Sequence, residues 1–304
     1  MMRGSALLAL LFLFSLAGAQ EQQATDPSFK PGVAHPQYRD NRGPVVMIDE
    51  AHGNIHTASG GYAPFAEVLR ADGHRVVPFT TPITVRALKG GRVLVIANAL
   101  SKRTAHDWNA PPESAFTDEE IATLRGWIRE GGALLLVADH MPAPGSIDRL
   151  ATAFGVRWSN GYAQDPRSGG LMQFTRSEGS LADHSITRGR SESERIDSVM
   201  TFAGSAFQSG EARPLLTFTA EAVSWIPEDA RRLVAGSPSI GVKGWQQGAV
   251  LQYGKGRVAF FGEAAMFTAQ TVEQGGRMGM SNPRALQNEQ FLLNVMHWLT
   301  GVLD

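Results

Sequence analysis

The chain has 304 residues, 43% hydrophobic and 19% charged, with 28 Lys and Arg against 29 Asp and Glu and a formal net charge of -1. That length is ample for a sizeable core, and the charge balance leaves no basic excess to attract nucleic acid or an anionic membrane surface. Cysteine is absent, which excludes disulfides, thiolate metal sites and a Cys nucleophile.

In chain order, Met1-Met2-Arg3, the apolar run over 6–14 and the small-x-small triplet Ala17-Gly18-Ala19 predict a secretory signal peptide over 1–19. The product is therefore expected to be periplasmic or secreted. The apolar run is shorter than the roughly 20 residues of a spanning helix, so no membrane span is expected after signal cleavage. Residues 20–43 are polar, carry three prolines and lack an apolar period, which predicts a linker.

The folded domain is expected to begin at Pro44. Residues 45–48 form a short apolar run suited to a strand buried on both faces. Phe65, Val68 and Leu69 then fall at helical spacing, with Gly73 closing the helix. Strands are predicted over 74–79, 92–97 and 133–138. Between the last two, Thr117 and Glu120 form a capping box that opens a helix ending near Gly131-Gly132. From about 157 to 256 the sequence turns to Gly- and Ser-rich turns with short β-like runs, read as a β-rich insertion. Residues 256–262 return as a core strand, and Phe291, Leu292, Val295, Met296 and Leu299 predict an amphipathic closing helix over 288–299. Strands alternating with helices imply an α/β fold: one domain over 44–304 with a doubly wound, mostly parallel, flavodoxin-like sheet.

Polar residues follow three of these strands: Asp49, Glu50, His52 and His56 after the first, Asp139-His140 after the fourth, and Glu263 after the returning one. In a parallel sheet all emerge at the carboxyl edge, where ligands bind. Asp49, Asp139, His140 and Glu263 are the candidate catalytic groups. Glu50, His56, Tyr62 and Asn288 are candidate substrate-binding residues. A divalent metal is a candidate cofactor, with His52 and Asp139 as its candidate ligands. The bland alternatives are a carboxylate bracing its own loop at Asp49 and an imidazole bonding a neighbouring carbonyl at His140. The glycine spacings of dinucleotide and P-loop sites are missing, as is the G-x-S-x-G elbow of α/β-hydrolases.

The stretches "FTDEEIATLRGWIREGGALLLVADH", "DHSITRG" and "YGKGRVAFFGEAAMF", followed by "NEQFLLNVMHWL", resemble the class I glutamine amidotransferase-like superfamily. The resemblance runs from about residue 44 to the C-terminus and is nearest to the uncharacterised exported GIFT-like and ThuA-like branch. It implies a flavodoxin-like sheet with a site where Asp49, Asp139, His140 and Glu263 meet. Amidotransferases of this superfamily use a Cys after a core strand and a His-Glu pair after a later one. Here Asp139-His140 stands at the elbow position, and Glu263 follows Gly262 without the His. A Cys-dependent amidotransferase is excluded. Two functions are therefore expected: an exported hydrolase using the carboxylate and histidine cluster, or a non-catalytic module binding a small or carbohydrate-like envelope ligand through Trp108, Tyr62 and Trp158.

Overall fold

Short apolar runs with no polar interruption become the centre of a sheet covered on both faces. The computed structural model describes residues 23–304 apart from 110, 220, 235 and 273–275, so the expected signal peptide lies outside the described residues. The main strands are Val45–Asp49 (β1), Arg75–Phe79 (β2), Val93–Ala97 (β3), Ala133–Val137 (β4), Val156–Trp158 (β5), Phe207–Ser209 (β6), Arg213–Thr217 (β7), Gln246–Tyr253 (β8) and Gly256–Phe261 (β9). They form one nine-stranded sheet in the order β2-β1-β3-β4-β9-β8-β6-β5, with β7 also paired to β8.

The strands β2, β1, β3, β4 and β9 are parallel neighbours. From β9 onward every pairing reverses, because β8 joins β9 through the tight Gly254-Lys255 turn and β6, β7 and β5 add antiparallel to that. The sheet is thus mixed where a mostly parallel one was expected. Three smaller sheets flank it. One of them joins Tyr162–Gln164, Val223–Trp225 and Ser239–Gly241.

Helices cover both faces. Ala63–Ala71 (α1) and Asn288–Thr300 (α4) pack on one, through Phe65, Val68, Phe291 and Val295 against Val46, Ile48, Val95 and Leu135. Asp118–Arg129 (α2) and Ala143–Thr152 (α3) pack on the other, through Leu124, Ile128, Ile147 and Leu150 against Met47, Leu94, Ile96 and Leu136. Alternate residues of each central strand feed the two cores, and this alternation decides where the polar residues at the strand ends emerge.

The predicted linker is attached to this body over its described part. Ala24–Thr25 pairs antiparallel with Ala269–Thr271, and Phe29 and Val33 pack on the α1/α4 core. The amide of Gln37 donates to Asp72 Oδ1 at 2.7 Å, and that of Gly32 donates to Glu289 Oε1 at 2.6 Å. Among the described residues no helix is long and apolar enough to cross a membrane.

Candidate functional site at the carboxyl edge

The polar strand ends separate into two constellations. In β1, Val46 and Ile48 face the α1/α4 core and Met47 the α2/α3 core, so Asp49 turns towards α2. In β4 and β9, Val137 and Phe261 face α1/α4, and Asp139 and Glu263, each two residues on, emerge on that side. The expected meeting of Asp49 with Asp139, His140 and Glu263 is corrected by strand parity, which sends Asp49 to the opposite face.

On the α2 side a buried imidazole is clamped between two carboxylates. His52 Nδ1 donates to Asp49, 2.9 Å from each carboxylate oxygen, and Nε2 lies 3.0 Å from Glu120 Oε1. Glu120 also accepts from the amides of Ile83 and Thr117, each at 3.0 Å. Burial disfavours the His52 cation, but the hydrogen bonds and charge of Asp49, and then of Glu120, outweigh it and raise the pKa above the usual value. With both ring nitrogens donating, His52 has no lone pair for a metal, which corrects the expected ligand role. The loop bends at Gly53, whose φ is 58° and where a Cβ would stand 2.7 Å from the Leu100 carbonyl oxygen, so a side chain does not fit.

On the α1/α4 side lie Asp139, His140, His56, Tyr62 and Glu263. Asn98, directly after β3, holds them together from a left-handed conformation with φ 50°. Its Oδ1 accepts the Asp139 amide at 2.8 Å, and its Nδ2 donates to His56 Nδ1 at 3.2 Å. That contact assigns the His56 proton to Nε2. Burial lowers the His56 pKa to about 4, against the opposing pull of Asp139, so His56 is neutral at physiological pH.

Asp139 Oδ1 accepts its neighbour's amide at 2.7 Å, and Oδ2 accepts the Ala264 amide at 3.2 Å. Glu263 is fully buried and accepts the amides of Ala265 and Met266 at 2.7 and 2.8 Å. Desolvation, reinforced by Asp139, nevertheless raises its pKa well above the ordinary range. The Tyr62 hydroxyl is buried with no hydrogen-bond partner among the described residues, and burial followed by Glu263 and Asp139 raises its pKa. Tyr62 therefore keeps an unused donor.

The cluster reaches solvent at half-buried His140. His140 Nδ1 donates to the Met141 carbonyl at 2.8 Å, which leaves Nε2 as the ring nitrogen without a partner among the described residues. The ring stacks on Tyr162 at 4.3 Å and lies 6.4 Å from the Trp108 ring.

Other expected roles change. Asn288 is fully engaged in joining α4 to the Ser198–Thr201 strand, donating to the Met200 carbonyl at 2.8 Å and accepting its amide at 3.0 Å, so it has no atom to offer a substrate. Glu50 accepts the Ala58 amide at 2.9 Å and braces its own loop. Trp158 packs against Phe207 and Phe260 in the α2/α3 core, away from any aromatic recognition surface. Among the described residues no group of three His, Asp or Glu side chains is arranged to hold a metal. Sequence reasoning missed two residues: Glu120, whose capping-box pattern gave no sign of its bond to His52, and Asn98, whose one signal is an Asn directly after an apolar run.

No protein-family model matches the sequence, and no curated protein matches it. Solved structures do match. The mmIFT52 N-terminal domain shares 15% identity, with 84% of this chain and 97% of that chain covered and a TM-score of 0.57. A cytoplasmic protein from Salmonella typhimurium LT2 shares 16%, with 84% and 98% covered and a TM-score of 0.46. A putative ThuA-like protein from Bacteroides uniformis shares 12%, with 90% and 95% covered and a TM-score of 0.43. At 15% identity and a TM-score of 0.57, the likeness to the mmIFT52 N-terminal domain is one of fold alone.

Proposed function

We propose that this chain is an exported hydrolase-like protein whose acid–base site is the cluster of Asp139, His140, His56, Tyr62 and Glu263. The observation that carries this reading is the gathering of ionisable groups in unlike settings within one cluster. Glu263 is fully buried and its pKa is raised by desolvation, His56 is buried and its pKa is lowered to about 4, and His140 stands half-buried at the mouth with Nδ1 held by the Met141 carbonyl. Groups of different proton affinity placed side by side are what general acid–base chemistry requires. In this reading His140 Nε2 takes a proton from water as it attacks and returns it to the leaving group as the scissile bond breaks, while Asp139 fixes the elbow. His56 Nε2–H and the Tyr62 hydroxyl are donors for the charge that develops on the substrate oxygen.

The proposal extends to the fold and the setting. The parallel order β2-β1-β3-β4-β9 is that of a flavodoxin-like sheet, and together with the quoted motifs it supports an amidotransferase-like, ThuA-like single domain with a β-rich insertion. The basic and apolar N-terminus supports export through a cleaved signal peptide.

One observation favours a second reading, a carbohydrate-binding module. Half-buried His140 and Trp108, with buried Tyr162 stacked behind the His140 ring, present an aromatic rim of the kind on which a sugar ring can stack. The mature protein screened on ester, amide and glycoside substrates separates the two. The hydrolase reading expects turnover that falls by at least about a hundredfold in His140→Gln with the fold retained by circular dichroism. Undiminished turnover in that variant refutes the assignment. Glycan binding without turnover, lost in Trp108→Ala, replaces it with the binding module.

A further inference from the structure

A second feature lies at the opposite end of the sheet. The first residues of β1 and β2, with the turn at Asp40-Asn41, enclose a cleft of about 600 Å³. Val45, Val76 and Val77 give it an apolar floor, and Arg70, Arg75 and His74 line it. It continues into a shallower recess that adds Arg42 and Arg92 and shares Arg75 and Val45. Among the described lining residues the guanidinium groups of Arg70, Arg75 and Arg42 stand against one carboxylate, Asp40, while that of Arg92 is taken by the Gly131 and Thr300 carbonyls. A concave surface of one charge sign over an apolar floor concentrates counter-ions.

An independent observation points the same way. His74 is 1% exposed, and its Nε2 has no hydrogen-bond partner among the described residues. On its other side Nδ1 lies 3.3 Å from Asp72 Oδ2, and the Tyr38 ring packs edge-on at 4.9 Å. Asp72 is itself engaged, accepting from the Gln37 amide at 2.7 Å and lying 2.8 Å from His297 Nε2. A buried polar atom left unsatisfied is costly, and a bound polar group removes that cost.

We infer that this cleft binds a small organic anion, a phosphate monoester or carboxylate with an apolar body, held by Arg70 and Arg75 beside His74. Arginine is the side chain whose planar fork matches both anions. The site is separate from the acid–base cluster and does not depend on the proposed hydrolysis.

The test titrates the mature protein with phenyl phosphate, benzoate and neutral benzyl alcohol, followed by calorimetry and by NMR of the arginine side chains and the His74 ring. Saturable shifts at Arg70, Arg75 and His74 are expected with at least one anion, weakening as salt is raised. A preference for phenyl phosphate identifies the ligand group as phosphoryl, and a preference for benzoate identifies it as carboxylate. Arg70→Gln and Arg75→Gln should each weaken binding about tenfold. Both positions are exposed, so the variants are expected to fold. The inference is overturned if neither anion saturates, if the double variant binds as tightly as the parent, or if benzyl alcohol binds as tightly as benzoate.

Discussion

His52 shows how one side chain can be read two ways from a sequence and only one way in the fold. With Asp139 it suggested a metal ligand, yet each of its nitrogens is taken by a carboxylate that strand parity and the α2 cap deliver. Its folded pKa is raised above the value of an unfolded chain, so its contribution to stability is fully present below that unfolded value, near 6.5, and is lost as pH rises through the folded pKa. Urea unfolding across this range should show stability declining above about pH 6.5. His52→Gln should remove that decline and cost about 3–5 kcal/mol at pH 6, since it leaves two buried carboxylates without their cation. An unchanged pH slope in the variant would show that the clamp is not the source. Asn98 illustrates the reverse case. Its place directly after an apolar run is its one mark in the sequence, because its importance comes from a left-handed backbone and from neighbours drawn from two other loops.

Secondary elements were legible where local chemistry sets them. The run over 45–48 became β1, residues 133–138 became β4 almost entirely, and the capping box at Thr117 and Glu120 opens α2 with both of its reciprocal bonds formed. The closing helix runs over Asn288–Thr300. Which face each strand-end residue takes was not legible. A strand buried on both sides is apolar at every position and carries no alternation from which to read parity, so Asp49 could not be told apart from Asp139. Glu120 joins the two levels, since it caps α2 and also bonds His52. Glu120→Gln preserves a capping amide and should cost less than Glu120→Ala, which loses the N-terminal cap and the imidazole contact together. A gap of about 1 kcal/mol or more in chemical denaturation is expected, and equal costs would mean that the cap contributes nothing.

For the whole molecule, the change from parallel to antiparallel pairing at β9 is the largest departure from the sequence reading. Pairing register depends on contacts distant in sequence, and the Gly- and Ser-rich text over 157–256 carries weak periodicity. The segment before Pro44 was misjudged for a related reason. Its polar composition hides Phe29, Val33 and backbone groups that bond to Asp72 and Glu289. Burial raises the pKa of Glu289, partly offset by the Gly32 amide, so removing the segment also uncovers that carboxyl group. A chain starting at Pro44 should melt several degrees lower than one starting at residue 20, in proportion to the roughly 1–3 kcal/mol that such contacts contribute. Equal melting temperatures would restore the linker reading.

The sheet ends on one side at β2, an outermost strand with the sequence Arg-Val-Val-Pro-Phe in which Arg75, Val77 and Pro78 are exposed. Proline offers no amide hydrogen, and Arg75 places a charge on the same border. This margin is therefore poorly suited to recruit a strand from a second molecule, so the chain can carry a broad sheet without inviting edge-to-edge polymerisation.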